Sequence, residues 1–304
     1  MKTLPYISII IPVYNSKAII GDCIQSLLDQ DYPKDKLEII VVDNNSTDGT
    51  AETIKQYPVQ YLLEDKIQSS YAARNKGAQN AKGEALLFFD ADQIVEKDFL
   101  KKFARAWDDT QYSAFGAQYI PIGDQKTLAG KYWHTQETTQ FTNPADGKSF
   151  AKLGGGNTLI RKEVFHKLGG YDSNLVSWGD YDFSYRLRQA GYKVKYMDDA
   201  VIGHKERNTI QSLLRREYRI GFGRSSFDRK HKETKESIAL IFIQALGRTL
   251  LGILALLWGL MKPLQNENRK NHLGLIILDV AMRWAYFQGR VHFILKLNKI
   301  PAKW

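Results

Sequence analysis

The chain has 304 residues, of which 43% are hydrophobic, 25% charged and 12% aromatic. This composition excludes a disordered or collagen-like chain, and the length allows one large α/β domain or one domain with an appendage. The single cysteine, Cys23, excludes an internal disulfide and weakly indicates a reducing compartment. The net charge of +10 favours a polyanionic partner: nucleic acid, anionic lipid or a phosphorylated substrate.

The first ninety residues alternate between strand and helix patterns. The apolar run Ile7–Val13 is too short for a signal peptide and predicts a first buried strand. Apolar residues at helical spacing predict an amphipathic helix over 17–30. Further strands and helices follow in turn, at Leu37–Val42, 50–56, Val59–Leu63, 69–81 and Glu84–Phe89. This alternation predicts an α/β fold with a mostly parallel sheet and flanking helices.

The rest of the chain changes character twice. Short strand and helix patterns follow one another up to about residue 197, at Ser113–Tyr119, Leu159–Ile160, 162–168, 180–190 and Lys193–Met197. Basic residues dominate after about residue 204, and two apolar stretches follow at Ile238–Met261 and His272–Val291. We therefore predict a catalytic domain over 1–225 and a basic, apolar, helical region over 226–304.

Polar clusters follow three of the predicted strands. Pro12, Tyr14 and Asn15 close the first strand, the run from Asp43 to Gly49 closes the second, and Asp90-Ala91-Asp92 closes the fourth. Any one of them is compatible with ordinary turn chemistry. Ligands bind beyond the carboxyl ends of parallel strands, so the three together predict one binding rim.

Asp90 and Asp92 are the most informative of these residues. Their carboxylates follow the very apolar strand that ends in LLFF. Magnesium takes oxygen ligands and binds one or two carboxylates together with substrate phosphates. The pair therefore predicts a metal-bridged diphosphate, although the DxD pattern alone also occurs by chance on loops.

A second acidic segment begins a helix at Trp178-Gly179-Asp180-Tyr181-Asp182. An acidic residue in the first helical turn is also favoured by the helix dipole, and for Asp182 this structural interpretation is preferred. For Asp180 we prefer a general base acting on an acceptor hydroxyl. Trp178 offers a face for a sugar ring, or belongs to the core.

Two further residues have both a structural and a functional interpretation. His204 follows an apolar strand-like segment, where a histidine is more often structural than a metal ligand. Arg74 lies in the middle of a predicted helix. It is either part of a solvated helix face or a positive charge near a diphosphate or the DxD carboxylates.

Several segments, in this order and spacing, resemble the family-two inverting glycosyltransferases of the GT-A fold, from Ile7 to about Gly223. They are SIIIPVYN, IIVVDNNSTDGT, ARNKGAQNAKGEALLFFDAD, GGGNTLIRKEVFHKLGGYD, GDYDFSYRLRQAGYK, and GH followed by RREYRIGFG. The resemblance implies a Rossmann-like GT-A sheet, a nucleotide-diphospho-sugar donor and a divalent metal, Mg²⁺ or Mn²⁺. It also implies a glycan or lipid-linked acceptor in cell-surface polysaccharide or glycolipid synthesis.

On the nucleotide side, the resemblance assigns Pro12, Tyr14 and Asp43 to the cradle of the base, typically uracil. Arg74 matches an arginine near the nucleotide, and Asp90 matches the acid that faces the ribose. The residues expected to bind the nucleotide-sugar are Pro12, Tyr14, Asn15, Asp43, Arg74, Asp90, Ala91 and Asp92.

On the sugar side, Asp92 matches the metal ligand and Asp180 the catalytic base. His204 resembles a histidine that approaches the metal or the diphosphate in several members. The loop 154–157 matches a segment that lines the donor-sugar and acceptor pocket. The residues expected to line this pocket are Gly155, Gly156, Asn157, Trp178 and Gly179.

The sequence departs from the family pattern in two respects. Gly179 stands where the family commonly has a glutamate before the catalytic aspartate, which puts an acceptor contact in doubt. The segment RREYRIGFG does not reproduce the QxxRW pattern of processive synthases, so a single transfer per acceptor is expected.

Other functional classes fit the sequence less well. A nucleotidyltransferase typically has a Gly-rich loop with Arg and Lys after the first strand, where this chain reads YNSKAII. A non-catalytic sugar-nucleotide or glycan-binding protein would not need Asp92 and Asp180. A nucleic-acid-binding module is not recognisable, so no nucleic-acid partner is expected. The GxGxxG of dinucleotide-dependent dehydrogenases is missing after the first strand.

The C-terminal stretch Ile238–Met261 is long enough to span a bilayer, but Arg248 near its middle costs about 2.5–3.5 kcal/mol on insertion. An in-plane amphipathic hairpin and a soluble homodimer with mutually buried helices are the alternatives. The basic run before Ile238 favours an anionic membrane surface. We expect the protein at the cytoplasmic face of the cell membrane, which suits a lipid-linked acceptor.

Overall fold

The structure is a computed structural model. It describes residues 4–137, 153–205, 207–231 and 266–295, together with 239–240, 242–244, 246–247, 249–251 and 254. The strands are β1 (Ile7–Val13), β2 (Leu37–Asp43), β3 (Gln60–Leu63), β4 (Ala85–Phe89), β5 (Gln93–Val95), β6 (Tyr112–Ile122), β7 (Asn157–Arg161) and β8 (Lys193–Lys205). The helices are α1 (Ile20–Leu28), α2 (Thr50–Ile54), α3 (Ser70–Asn80), α4 (Phe99–Trp107), α5 (Leu128–Glu137), α6 (Lys162–Lys167), α7 (Gly179–Gln189), α8 (Ile210–His231) and α9 (Asn266–Ile294).

The eight strands form one mixed sheet in the order β3-β2-β1-β4-β7-β6-β8-β5. The first four are parallel to one another, β7 is antiparallel to both of its neighbours, β6 and β8 are parallel, and β5 is antiparallel to β8. Val13 pairs with Asp43, so the ends of β1 and β2 lie level. The predicted α/β class, with a mostly parallel sheet and flanking helices, is confirmed.

The central strands are buried on both faces, as their unbroken apolar runs predict. All seven residues of β1 and all five of β4 are buried. Helix α1 covers one face through Ile20, Cys23, Ile24 and Leu27. A fully buried aliphatic or aromatic side chain contributes about 1.5–3 kcal/mol relative to exposure, so this core fixes the edge on which the strand ends meet.

Some elements differ from the sequence-based expectations. The short strand β5 and the helix α4 were not predicted. Strand β8 continues to Lys205, although its pattern predicted an end at Met197. In the pairing with β6, Ala117 opposes Met197 and the next residue, Gln118, opposes Val201, so three residues of β8 bulge out. Exposed Asp198 and Asp199 therefore mark an irregularity within a strand, not its end.

The chain divides into two compact units. Unit one contains the described residues of 1–122, 137–174 and 179–205, and unit two those of 123–136, 175–178 and 206–304. The eight-stranded sheet lies in unit one. The domain boundary at residue 225 falls within helix α8 and stays a prediction.

Unit two is built around the crossing of α8 and α9. A Cβ atom on Gly221 would overlap the carbonyl oxygen of Tyr286, and one on Gly289 would overlap that of Tyr218, so the two backbones touch. Arg290 is buried with Nη2 3.0 Å from Oδ2 of Asp228. Arg290, one of three charged residues that interrupt the second apolar stretch, is thus paired inside this unit.

The described helices include none that is both long and apolar enough to cross a bilayer. The stretch Ile238–Met261, for which membrane insertion was considered, lies largely outside the described residues. Its described residues from 239 to 251 and residue 254 are helical. They carry large apolar side chains that are exposed, namely Leu240, Phe242, Ile243, Leu246, Leu250, Leu251 and Leu254.

Candidate active site

The ends of β1 and β2 are joined by a network of hydrogen bonds. Asn15 has a φ of +47°, donates its backbone N–H to Oγ of Ser46 at 2.9 Å and accepts the Thr47 N–H on Oδ1 at 2.8 Å. Pro12 is buried in β1, and Tyr14 is 42% exposed at the edge. The structure therefore brings the first two predicted clusters together at one edge of the sheet.

Asp43 at the end of β2 is buried and fixed on both oxygens. Its Oδ1 accepts the backbone N–H of Ser46 at 2.9 Å, and its Oδ2 accepts the hydroxyl of Tyr61 at 3.2 Å. Burial and the nearby charge of Asp43 raise the pKa of Tyr61 to about 12, so this hydroxyl stays a donor. The result is a pre-oriented carboxylate acceptor.

Arg74 and Asp90 form an ion pair between α3 and the end of β4. Arg74 is only 5% exposed, and burial alone would lower its pKa; the charge of Asp90 opposes this, and the pKa is raised. The guanidinium lies 5.7 Å from the ring centroid of Tyr71 and 6.0 Å from that of Tyr171. Its Nε has no hydrogen-bond partner in the described part of the chain. Arg74 is therefore not on a solvated helix face.

The glycine run 154–156 passes directly over this ion pair. A Cβ on Gly156 would overlap Oδ2 of Asp90, and one on Gly155 would lie 3.0 Å from Nη2 of Arg74. Asn157 is fully buried, accepting the Gly154 N–H and donating to the carbonyl of Ala117, both at 2.7 Å. The amide of Asn157 thus holds the loop, while the glycines let the backbone approach Asp90.

Asp92 and His204 meet because β5 pairs with β8. Gln93 lies opposite His204, and the Lys205 N–H donates to the carbonyl of Asp92 at 2.9 Å. Oδ2 of Asp92 is 3.3 Å from Nε2 of His204. Ala91, between the two carboxylates of the motif, is buried. The residues described contain no group of three or more His, Cys, Asp or Glu that could hold a metal without further ligands.

Asp180 lies in the first turn of α7. Burial raises the pKa of Tyr171, and the charges of Asp180 and Asp90 raise it further, while Arg74 opposes them. The same two carboxylates act on the pKa of Arg74. Asp180 therefore acts on the same buried group as Asp90, although 90 residues separate them in the sequence.

Two neighbours of Asp180 have structural contacts. Asp182 is fully buried, with Oδ2 2.9 Å from Nε of Arg186, so the structural interpretation of Asp182 is favoured. Trp178 has a φ of +67°, and its ring centroid lies 5.7 Å from that of Phe227. The guanidinium carbon of Arg224 lies over the same indole, 4.7 Å from the ring centroid. A sugar contact by Trp178 stays a prediction.

Sequence reasoning missed the tyrosines that support these carboxylates. Tyr71 precedes Arg74 by three residues on α3, so both lie on one face of the helix. This spacing is the only local sequence feature that could have indicated a role for Tyr71. Tyr61, Tyr119 and Tyr171 come from other elements. Tyr119 accepts the amide N–H of Gln93 at 3.0 Å, and its ring centroid lies 5.3 Å from that of His204.

The family model described as glycosyl transferase family 2 matches residues 8–169, just over half of the chain. The chain belongs to this family. A second model, described as the N-terminal domain of galactosyltransferase, matches residues 140–208. The glycosyltransferase AglE of Haloferax volcanii is 34% identical over 233 residues, which are 73% of this chain and 74% of that protein. The family-two chain described here is accordingly a glycosyltransferase.

Two other similar proteins help to place this family-two enzyme. One, from Methanococcus voltae, is named as dolichyl N-acetyl-alpha-D-glucosaminyl phosphate 3-beta-D-2,3-diacetamido-2,3-dideoxy-beta-D-glucuronosyltransferase. It is 25% identical over 250 residues, 74% of each chain. The solved structure of the mannosyltransferase PcManGT from Pyrobaculum calidifontis, in complex with GDP-Man and Mn²⁺, superposes with a TM-score of 0.62 at 17% identity, covering 98% of this chain and 89% of that one. The latter likeness shows the shared GT-A fold.

Proposed function

We propose that this glycosyltransferase moves a sugar from a nucleotide-diphospho-sugar to a hydroxyl of a glycan or lipid-linked acceptor, with inversion at the anomeric carbon. The observation that carries the proposal is the ion pair of Asp90 with buried Arg74, whose guanidinium also feels the charge of Asp180. The nucleotide-side carboxylate thus pairs with this buried cation, and the candidate base, also in unit one, acts on the pKa of the same cation. The resemblance in the sequence gives these two carboxylates the corresponding roles.

Asp180 acts as the general base of the reaction. It accepts the proton of the acceptor hydroxyl while that oxygen attacks the anomeric carbon. The bond from the anomeric carbon to the diphosphate oxygen breaks, and its electron pair leaves with the nucleoside diphosphate. One displacement inverts the anomeric centre, so no covalent bond between sugar and protein is required. The product is a glycoside, and the proton remains on Asp180 until solvent removes it.

Asp43 favours some nucleobases over others. Its carboxylate only accepts hydrogen bonds and is held in place by Tyr61 and Ser46. Uracil, thymine and guanine each present a ring N–H donor, whereas cytosine and adenine present only exocyclic amino groups. A UDP-sugar, the donor that the resemblance suggests, satisfies this requirement, and so do GDP- and dTDP-sugars. Arg74 supplies positive charge on the nucleotide side.

A divalent cation, Mg²⁺ or Mn²⁺, fits the residues at the β5–β8 ladder. Asp92 offers a carboxylate and His204 an imidazole nitrogen 3.3 Å away, and such ions complete their coordination with diphosphate oxygens and water. Asp92 and His204 would hold the ion. When bound, the ion offsets the negative charge that develops on the departing diphosphate. PcManGT, which shares the fold, was solved with Mn²⁺.

The acceptor side points to a lipid surface. The Methanococcus voltae relative is named for a dolichyl phosphate substrate. Unit two has exposed leucines among the helical residues 239–254, and it also has exposed Arg219 and Arg229 on α8. Exposed apolar and basic side chains in one unit suit an anionic bilayer surface. We therefore propose that the enzyme works at the cytoplasmic face of the cell membrane.

Replacement of Asp180 tests the proposed reaction. Asp180→Asn removes the proton acceptor but keeps the shape, so turnover should fall about 10²–10⁴-fold. Donor affinity should change little, because Asp43 and Arg74 are untouched. Transfer is measured with a panel of UDP-, GDP- and dTDP-sugars and Mn²⁺, and donor binding is measured by calorimetry.

The products of the same assay separate the alternatives. Release of a nucleoside diphosphate agrees with sugar transfer, whereas release of pyrophosphate would identify a nucleotidyltransferase. Normal turnover by Asp180→Asn would exclude its role as the base. Donor binding without turnover in the unmodified protein would indicate a non-catalytic binding protein.

A further inference from the structure

The first turn of α7 is held by a side chain from α3. Gly179, the first residue of α7, donates its backbone N–H to the hydroxyl oxygen of Tyr71 at 2.9 Å, and the contact is buried. The first N–H groups of a helix have no partner within that helix, so an outside acceptor satisfies one of them. Asp180 is the next residue. The hydroxyl of Tyr71 is therefore one peptide unit from the proposed base.

The ring of Tyr71 also determines which residue can occupy position 179. A Cβ on Gly179 would lie 2.6–2.8 Å from three ring carbons of Tyr71, closer than real Cβ atoms approach such neighbours. The glutamate that is common in the family at this position has no room beside the ring. Tyr71 and Gly179 therefore fit together as a pair, and the departure from the family pattern has a steric cause.

The backbone just before this contact is strained. Trp178 has a φ of +67°, in the left-handed region that bulky residues rarely adopt. Such a conformation persists only where neighbouring contacts fix it. The hydrogen bond from Gly179 to Tyr71 is such a contact, because it constrains the peptide that follows Trp178.

The opposite side of Tyr71 faces the nucleotide side of the site. Its ring lies 5.7 Å from the guanidinium of Arg74, which pairs with Asp90, and its centroid lies 5.6 Å from that of Tyr171. One side chain thus contacts both the cation that binds Asp90 and the peptide that carries Asp180.

We propose that Tyr71 is a positioning residue that sets the distance between the base Asp180 and the Arg74–Asp90 pair, and that Gly179 is required by the ring of Tyr71. This proposal rests on the proposed function, since it assigns Asp180 as the base. Tyr71 is buried, and the role proposed for its hydroxyl is to accept the N–H of Gly179. Its effect should appear in turnover and not in donor binding.

The first test removes the hydroxyl but keeps the ring. Tyr71→Phe should lower kcat about 10-fold, because the buried N–H of Gly179 loses its acceptor. The donor KM should be unchanged. Tyr196→Phe is the matched control, because Tyr196 is a partly buried tyrosine whose hydroxyl has no hydrogen-bond partner among the described residues. This control should keep the unmodified kcat.

The second test uses the fit between the two residues. Gly179→Ala should lower kcat more than Tyr71→Phe does, because the new methyl group collides with the ring. Adding Tyr71→Ala to Gly179→Ala removes the collision, so the double variant should turn over faster than Gly179→Ala alone. Thermal unfolding of each variant shows whether it is folded under the assay conditions.

The results separate this inference from the proposed function. If Asp180→Asn is inactive while Tyr71→Phe has the unmodified kcat, only the role of Tyr71 is wrong. If Tyr71→Phe lowers kcat, donor affinity and melting temperature together, Tyr71 is merely structural and the inference is also wrong. If Asp180→Asn transfers sugar at the unmodified rate, the proposed function itself is wrong.

Discussion

Asp92 directly precedes β5 and His204 lies on the antiparallel strand β8, with Oδ2 and Nε2 3.3 Å apart. A protonated histidine would form an ion pair with this carboxylate, whereas a neutral one can donate a ring N–H to it or bind a cation beside it. The two atoms are close enough for one cation to contact both of them.

The metal requirement can be tested at these two residues. We expect a chelator to abolish transfer and Mn²⁺ or Mg²⁺ to restore it. Asp92→Asn should raise the Mn²⁺ concentration needed for half-maximal turnover by at least about 10-fold, and His204→Ala should raise it less. Mn²⁺ titrations of the chelated enzyme measure both. Asp199→Asn, an exposed carboxylate on the β8 bulge, serves as the control.

An unchanged Mn²⁺ requirement in Asp92→Asn would show that the ion binds elsewhere. Full activity of the chelated enzyme would remove the metal from the reaction altogether.

At the scale of single residues, the sequence predicted those site residues that directly follow a recognisable strand. Asp43 and Asp90 follow buried strands, and parallel pairing alone brings such residues to one edge. Tyr61 and Tyr71 were not predictable, because their hydroxyls reach partners on elements far away in the chain. Trp178 adopts a backbone conformation that residue type argues against, so nothing in the sequence indicated it.

At the scale of elements, the close crossing of α8 and α9 requires glycine at two positions. Gly221 and Gly289 lie where each backbone touches a carbonyl oxygen of the other helix. Alanine is the better helix former by about 1 kcal/mol, but here its methyl group has no space. Packing and helix propensity therefore oppose one another at these positions.

We expect Gly221→Ala to lower the free energy of unfolding by about 1–3 kcal/mol, the usual cost of overpacking, despite the gain in helix propensity. Gly247→Ala is the matched control, because Gly247 is also helical and a Cβ there would meet nothing within 4 Å. That control should be neutral or stabilising. Denaturant unfolding measures both variants, and equal effects would contradict the close crossing.

Element prediction failed where a pattern was too short or interrupted. Strand β5 has three residues, which is too few for alternation to be visible. Strand β8 was expected to end before Asp198 because two charged residues follow Met197. The pairing with β6 absorbs them in a bulge, and such a bulge depends on the neighbouring strand.

At the scale of the whole molecule, the charge of +10 and the exposed apolar residues suggest the same kind of partner. Each well-placed Lys or Arg contributes about 1 kcal/mol at an anionic bilayer, and salt screens this attraction. Apolar insertion is much less sensitive to salt. The two contributions are therefore separable by experiment.

We expect the full chain to sediment with vesicles that contain anionic lipid, and less with zwitterionic ones. Arg219→Gln with Arg229→Gln should weaken mainly the salt-sensitive part of binding. Leu250→Glu with Leu251→Glu should weaken binding at high salt as well, because it removes exposed apolar side chains. Lys82→Gln, an exposed lysine of unit one, is the control.

If the two leucine substitutions instead convert a dimer into a monomer and leave vesicle binding unchanged, a second copy covers these leucines. Sedimentation velocity on the same variants distinguishes that outcome from membrane attachment.

The fold class was accessible at this scale because β-α-β alternation over ninety residues leaves few arrangements. The division into two units could not be predicted. Residues 123–136 and 175–178 belong to the same unit as the C-terminal helices, although unit-one segments separate them from these helices in the sequence. A hydropathy profile cannot show that these segments belong to unit two, because it averages over neighbours in sequence and not in space.

The chain has one thiol, and α1 buries it beneath the end of β4, with Sγ of Cys23 3.5 Å from the carbonyl oxygen of Asp90. Burial, together with the charges of Asp92 and Asp90, raises the pKa of Cys23 well above its ordinary value, so an alkylating reagent finds neither access nor a thiolate. Labelling of the native enzyme must then wait for local opening beneath Asp90. The rate of labelling, measured with and without nucleotide, therefore reports how often the structure around Asp90 opens locally.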